Sequence, residues 1–139
     1  MVSQMADFTS SRAFRVAGAK AFEESGIAHQ DVDHLMIYDA FAHLPIYGLE
    51  DLGFCRKGEA AGFIWERNTA PGGDFPLNTN GGGLSYCHPG MYGIFLLTEA
   101  TRQLRGECGP RQAKDAEVAI AHGTGGVLST VATCVLTRS

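Results

Sequence analysis

Residues 78–93 read NTNGGGLSYCHPGMYG, and the run MYGIFLLTEATRQLR begins at residue 91. Glycines at 81, 82, 83, 90 and 93 carry no Cβ, so a backbone or a ligand can come close. Pro89 stiffens the chain after His88 and biases His88 itself to an extended backbone. In the run 91–105, Met91, Ile94, Phe95, Leu96, Leu97, Ala100 and Leu104 cover most of the circumference of a helix, which predicts burial on several sides. His88 thus stands on a stiff loop of small residues beside the start of a helix, where free N–H groups point outward. An imidazole held there suits donation to a developing oxyanion. A plain turn histidine is the alternative that spacing leaves open.

Outward from that stretch, the chain alternates helical and strand-like segments. Residues 11–25 predict a helix, with Phe14, Ala17, Ala21 and Phe22 on one face. Ser10 or Ser11 suits its N-cap and Gly26 its C′ position. HLMIYD, 34–39, reads as a short buried strand. FAHLPIYGLEDL, 41–52, predicts a second helix, and Pro45 places its start near His43 or Leu44. NTAPGGDFPLNTNGGG, 68–83, holds five glycines and two prolines and reads as a loop. A polar connection spans 106–116. EVAIA, 117–121, and VLSTVATCVL, 127–136, read as two strands joined by the glycine turn HGTGG. Helix, strand, helix, loop, helix, strand, strand is an α/β layer order in one domain, 1–139.

Composition narrows the function classes. The 139 residues carry a formal net charge of -4 with no basic block, which argues against nucleic acid as a partner. No apolar run is long enough to span a membrane. MVSQMADFTSS lacks the basic and apolar regions of a signal peptide, so the cytoplasm is the expected address. Charged residues are 19% of the chain, slightly low, which hints at surface covered by a partner. Cys55, Cys87, Cys108 and Cys134 form no Cys-x-x-Cys pair, so no metal site is expected and buried thiols are the default.

Two further segments can carry chemistry. His122 ends a strand before a glycine turn, where α/β sheets place reactive groups; a turn histidine is the alternative. In YDAF, 38–41, Tyr38 ends the apolar strand, either as a functional phenol or as a core tyrosine, and Asp39 is expected to cap the helix that follows. Tyr38, His88 and His122 therefore lie at three segment ends, and a fold that joins those ends creates a site with one phenol and two imidazoles.

GGGLSYCHPGMYG, LLTEATRQLRGECGPRQ, HGTGG and YDAFAHLPIYGLEDLGFCRKGEAAGF together resemble the C-terminal half of the thiolase superfamily. The resemblance is greatest to sterol-carrier-protein thiolases and lipid-transfer-protein thiolase-like enzymes, and it runs from Ser10 to Leu136. It implies a thiolase-like half-fold: a mixed five-stranded sheet with helices on both faces. It also implies that His88, the family's HPxG histidine, binds the thioester carbonyl of an acyl-CoA and stabilises its enolate. Gly82, Gly83, Cys87, Gly90, Gly125 and Gly126 would then line the substrate site. Coenzyme A enters as a thioester substrate and no bound cofactor is expected.

Departures from the pattern are informative. The half that carries the acyl-accepting cysteine in thiolases has no counterpart in this sequence. His122 takes the place of the second thiolase cysteine, Tyr38 stands where relatives have histidine in HDCF, Ala40 replaces the cysteine of that motif, and Cys87 replaces a glycine. YDAF with SYCHPG resembles thiolase-like aldolases of steroid side-chain breakdown. A retro-aldol cleavage needs a base for a β-hydroxyl, for which Tyr38 or Tyr86 is the candidate, and His88 to hold the enolate. Cys87 as nucleophile is the weaker option. The implied partners are an N-terminal thiolase half, in a homo- or hetero-oligomer, and a small OB-fold and zinc-ribbon protein. Set against an enzyme part, the other classes are a non-catalytic binding or oligomerisation module and an acyl-CoA-binding module without chemistry.

Overall fold

A computed structural model describes residues 5–138. The first four residues of the N-terminal segment assessed for targeting lie outside the described residues. Helix α1, Arg12–Ser25, starts at Ser11, whose hydroxyl accepts the Phe14 N–H at 3.3 Å, and ends at Gly26 in the left-handed conformation. Strand β1, His34–Ile37, is buried along its whole length. Helix α2, Leu44–Asp51, carries Pro45 in its first turn. Short helices α3, Ala60–Trp65, and α4, Gly82–Ser85, were not anticipated from periodicity. Helix α5, Gly93–Leu104, precedes β2, Val118–Gly125, and β3, Thr130–Thr137.

The sheet has the order β1-β2-β3. β1 runs parallel to β2, with Ile37 opposite His122. β2 runs antiparallel to β3, with Gly125 opposite Thr130. Strand alternation sends Leu35, Ile37 and Ile120 to one face, against Phe22, Leu49 and Leu52 of the α1–α2 side. Met36, Tyr38, Ala119 and Ala121 face the other way, against Leu96, Ala100 and Leu104 of α5. Each fully buried Leu, Ile or Phe here contributes roughly 1.5–3 kcal/mol of apolar burial. Small side chains at 119 and 121 let α5 sit close, and a Cβ on Gly123 would lie only 3.8 Å from Gly93 Cα.

Helices on both faces match the expected half-fold, but the strands number three among the described residues, not five. The three observed are the three legible in the residues themselves. At the free edge of β1, a further strand is begun and not continued. Leu35 N–H donates to Pro76 O at 3.2 Å, Asn78 N–H donates to Leu35 O at 3.0 Å, and the bridge is confined to Leu35 and Leu77. Pro76 has no N–H to offer, and Asn78 turns away with φ 49°.

Two smaller expectations also change. Asp39 does not cap α2, whose N-cap His43 makes no side-chain bond; it caps α4 instead. Helix α5 buries Leu96, Ala100 and Leu104 but leaves Ile94 and Phe95 exposed, with Met91 exposed just before it, so this outward apolar face has no cover among the described residues. Of the four free thiols, Cys108 is buried, Cys55 partly so, and Cys87 and Cys134 are exposed.

Two buried imidazoles make stability depend on pH. His34 and His122 are 0% exposed. Burial lowers each pKa from 6.5 to about 4, with nearby Glu99 opposing part of the shift at His34. An unfolded chain takes up these protons near the ordinary value, whereas the folded chain resists until lower pH. Stability is therefore fully present above pH 6.5 and declines as pH falls toward 4. At ~1.4 kcal/mol per unit, each group removes roughly 3 kcal/mol across that interval. Urea midpoints measured from about pH 7.5 down to about pH 4.5 should fall, and His122→Gln should flatten the slope. A pH-independent midpoint would contradict this account.

Candidate active site

The residue after β1 anchors the site. Tyr38 N–H donates to His122 O at 3.0 Å, which extends the β1–β2 ladder by one bond. Asn78 holds the preceding residue with two side-chain bonds of 2.8 Å, one to Ile37 N–H and one to Ile37 O. The Tyr38 ring stacks on Tyr92 at 4.9 Å and on His88 at 5.7 Å. Its hydroxyl is hydrogen-bonded to His88 Nδ1. Burial raises the Tyr38 pKa, and neighbouring Asp39 pushes the same way, so the phenol is neutral. The direction of this bond follows the imidazole tautomer: a phenol that donates to Nδ1 leaves the ring proton of His88 on Nε2.

Asp39 brings the two segments together. Its carboxylate accepts Gly83 N–H at 2.5 Å and Leu84 N–H at 3.2 Å. Glycine is required at this junction. A Cβ on Gly82, where φ is 69°, would lie 2.1 Å from Asp39 Oδ2, and one on Gly83 would lie 3.0 Å from the Tyr38 ring. These two glycines therefore make room for Asp39 and Tyr38 behind the site, and neither lines the cavity in front.

That cavity has a volume of about 580 Å³. Tyr38, His88, Gly90, Gly125 and Gly126 line it together with Phe8, Phe41, Leu44, Tyr47, Val127 and Leu128. The expected meeting of Tyr38, His88 and His122 is realised for the first two. His122 shares its sheet face with Ile120, lies edge-on to Phe14 at 4.2 Å, and bonds Thr133 Oγ1 through Nδ1 at 2.8 Å. It is sealed from the cavity. Its Nε2 has no partner among the described residues. Tyr86, 68% exposed, and Cys87 line a separate cavity with Tyr92, Phe95, Arg102 and Arg111.

Several supporting residues escaped the sequence reading. Asn80 accepts Gly82 N–H at 2.9 Å and donates to Tyr92 Oη at 3.4 Å. Thr79, between Asn78 and Asn80, donates to the buried Glu99 at 2.8 Å and contacts His34 Nε2 at 3.0 Å. Burial works to raise the Glu99 pKa. Bonds from Arg111, Thr79 and Gln103 outweigh it and hold the carboxyl below its ordinary range. NTN thus fastens the glycine loop to β1, to α5 and to itself. The clue was the placement of three small polar side chains before GGG, but nothing local names their partners. Thr124, which lines the cavity, has a buried hydroxyl without a partner among the described residues.

A family described as thiolase C-terminal domain-like matches residues 1–138. An acetyl-CoA acetyltransferase of Methanothermobacter thermautotrophicus is 37% identical over 123 residues, covering 88% of this chain and 32% of that protein. A 17-hydroxy-3-oxo-4-pregnene-20-carboxyl-CoA lyase of Mycobacterium tuberculosis is 40% identical over 112 residues, covering 79% of this chain and 28% of that protein. Among solved structures, a chain of an Ltp2-ChsH2(DUF35) aldolase aligns with a TM-score of 0.83 and 33% identity over 97% of this chain and 34% of that one. The chain spans about a third or less of these relatives.

The Asp39–glycine junction can be tested by a matched pair of substitutions. Gly72 has φ 79° and open space where a Cβ would go, so Gly72→Ala reports the backbone penalty alone. Gly82→Ala adds the collision with Asp39 and should cost roughly 2–4 kcal/mol in total. Thermal denaturation of both variants should show Gly82→Ala distinctly less stable; equal losses would remove the clash from the explanation.

Proposed function

The chain belongs to the thiolase C-terminal domain-like family, and from that premise we propose that it supplies the C-terminal half of an enzyme that cleaves carbon–carbon bonds in acyl-CoA thioesters. Retro-aldol cleavage of a β-hydroxyacyl-CoA is favoured over thiolysis. The single observation that carries this reading is the Tyr38–His88 hydrogen bond opening onto a largely apolar cavity.

His88 Nε2–H donates to the thioester oxygen. A neutral, buried phenol is a poor base by itself, so Tyr38 acts by relay. It accepts the proton of the β-hydroxyl as its own proton passes to His88 Nδ1. The carbon–carbon bond breaks, its electron pair goes to Cα, and the β-carbon leaves as a carbonyl. The imidazolium so formed faces the thioester enolate and offsets its charge. Protonation of Cα and loss of the extra imidazolium proton complete the cycle. Tyr38 is preferred to Tyr86 as the base because Tyr86 lies in the other cavity. His122 acts from behind the sheet, by holding the strand end that Tyr38 extends.

The uncovered face of α5, with Met91, Ile94 and Phe95 exposed, supports assembly with an N-terminal thiolase half, on a second chain or a second copy. A small OB-fold and zinc-ribbon partner completes the proposal, by analogy with the second component named for the aldolase relative. Coenzyme A thioesters are substrate rather than resident cofactor. Helices long and apolar enough to cross a membrane are absent among the described residues.

Co-expression with the adjacent reading frame, followed by assay on β-hydroxyacyl-CoA and β-ketoacyl-CoA substrates, tests the reaction class. Cleavage of the β-hydroxy substrates is the expected result. Tyr38→Phe and His88→Ala should each lower it by about 10²-fold or more with the unfolding midpoint retained. Unchanged turnover in Tyr38→Phe would exclude the relay.

A further inference from the structure

We propose that Val127 and Leu128, at the tip of the β2–β3 hairpin, are specificity determinants that form the apolar wall for a bulky acyl group, of about ten carbons or a ring system rather than acetyl. The inference rests on the reading of the cavity as an acyl-thioester site. It starts from a conflict between sequence and backbone. Gly126, Val127 and Leu128 have φ of 53°, 51° and 65°, three left-handed residues in succession. Hairpin tips of this shape favour Asn and Gly, which enter that region readily. A β-branched valine is among the residues least suited to it. The tip is therefore occupied against its own conformational preference, and such conflicts mark function when something else requires the side chains.

Folding does not explain them. Val127 is 56% exposed, so it gains little from burial within this chain. Both side chains line the cavity that holds the Tyr38–His88 pair. Phe8 and Phe41, 61% and 51% exposed, line it as well. Four large apolar side chains around one cavity, three of them more than half exposed among the described residues, offer a ligand an apolar wall. The volume of about 580 Å³ lies within the range of roughly 300–1,000 Å³ usual for drug-sized ligands. A two-carbon acyl group would leave most of that apolar wall wet.

The test compares decanoyl-CoA and acetyl-CoA binding by titration calorimetry on the full chain. Decanoyl-CoA should bind at least about tenfold tighter than acetyl-CoA, because single methylene differences in apolar pockets already reach that size. The double variant Val127→Asn, Leu128→Gly installs the residues the turn prefers. Its thermal midpoint should hold or rise while most of the decanoyl preference is lost and acetyl-CoA affinity is unchanged. Val127→Trp, which fills the cavity, should weaken decanoyl-CoA selectively. Equal affinity for the two thioesters, binding of neither, a double variant that keeps the preference, or one that loses stability would each overturn the proposal. His88→Ala separates it from the reaction: the size preference should persist while turnover is lost. A persistent preference in a wild-type assembly without turnover would sink the cleavage reading and leave this one standing.

Discussion

One buried carboxylate, at position 39, governs the arrangement of this domain. Asp39 is 4% exposed and satisfies two backbone N–H groups of a segment more than forty residues away. A carboxylate that deep needs such donors, because an unpaired buried charge is far too costly. The donors can reach it because Gly82 and Gly83 have no side chains to hold the loop off. Shape and charge are thus solved together: the anion needs the amides, and the amides need the glycines. Tyr38 and His88 meet because each is a few residues from that junction.

Around this point the polar side chains act as a scaffold rather than a surface. Asn78 extends the ladder of β1 where Pro76 prevents a strand from forming. Thr79 ties the loop to Glu99, and Arg111 compensates the Glu99 charge. Each buried polar group in this network is bonded to at least one other, which favours a single well-defined position for the loop. The site built on it is asymmetric in polarity. A phenol–imidazole pair supplies directed hydrogen bonding, and the rest of the cavity is mostly apolar. That combination orients one functional group of a ligand and leaves the remainder to be recognised by size and hydrophobicity.

The uncovered face of α5 gives the domain an incomplete look in physical terms. Apolar residues placed around the whole helix are consistent with packing on both sides, yet the described residues supply only one. The low charge content and the exposed Met91, Ile94 and Phe95 point the same way: a surface suited to burial against another fold unit. Assembly and cavity bear on one another, since whatever covers this face also decides how much of the exposed apolar lining near Phe8 and Phe41 stays open to a ligand.

Much of the fold was legible in local pattern. Ser11, Gly26 and Pro45 announced helix ends through capping and backbone geometry that depend on near neighbours alone. The apolar runs 34–39 and 117–121, and the β-branched 127–136, announced strands, but HGTGG is not the turn expected of it: β2 runs on through His122 to Gly125, and β3 starts only at Thr130. Segment ends and motif resemblance singled out Tyr38, His88 and His122, with Tyr86 as a second phenol, and of these only Tyr38 and His88 meet at the cavity. What local pattern does not contain is register. Ile37 lies opposite His122, which is far along the chain, and a slip of one residue would have turned either side chain to the other face. That choice is made by the packing of α1 and α5 on the two sides of the sheet. It is why Tyr38 faces the cavity, His122 faces Phe14, and Asp39 caps a helix far along the chain instead of the next one. The sequence by itself determined which segments fold and which residues can do chemistry. Only the tertiary structure decided which of them share a space, because strand alternation acquires a direction only after distant strands have paired.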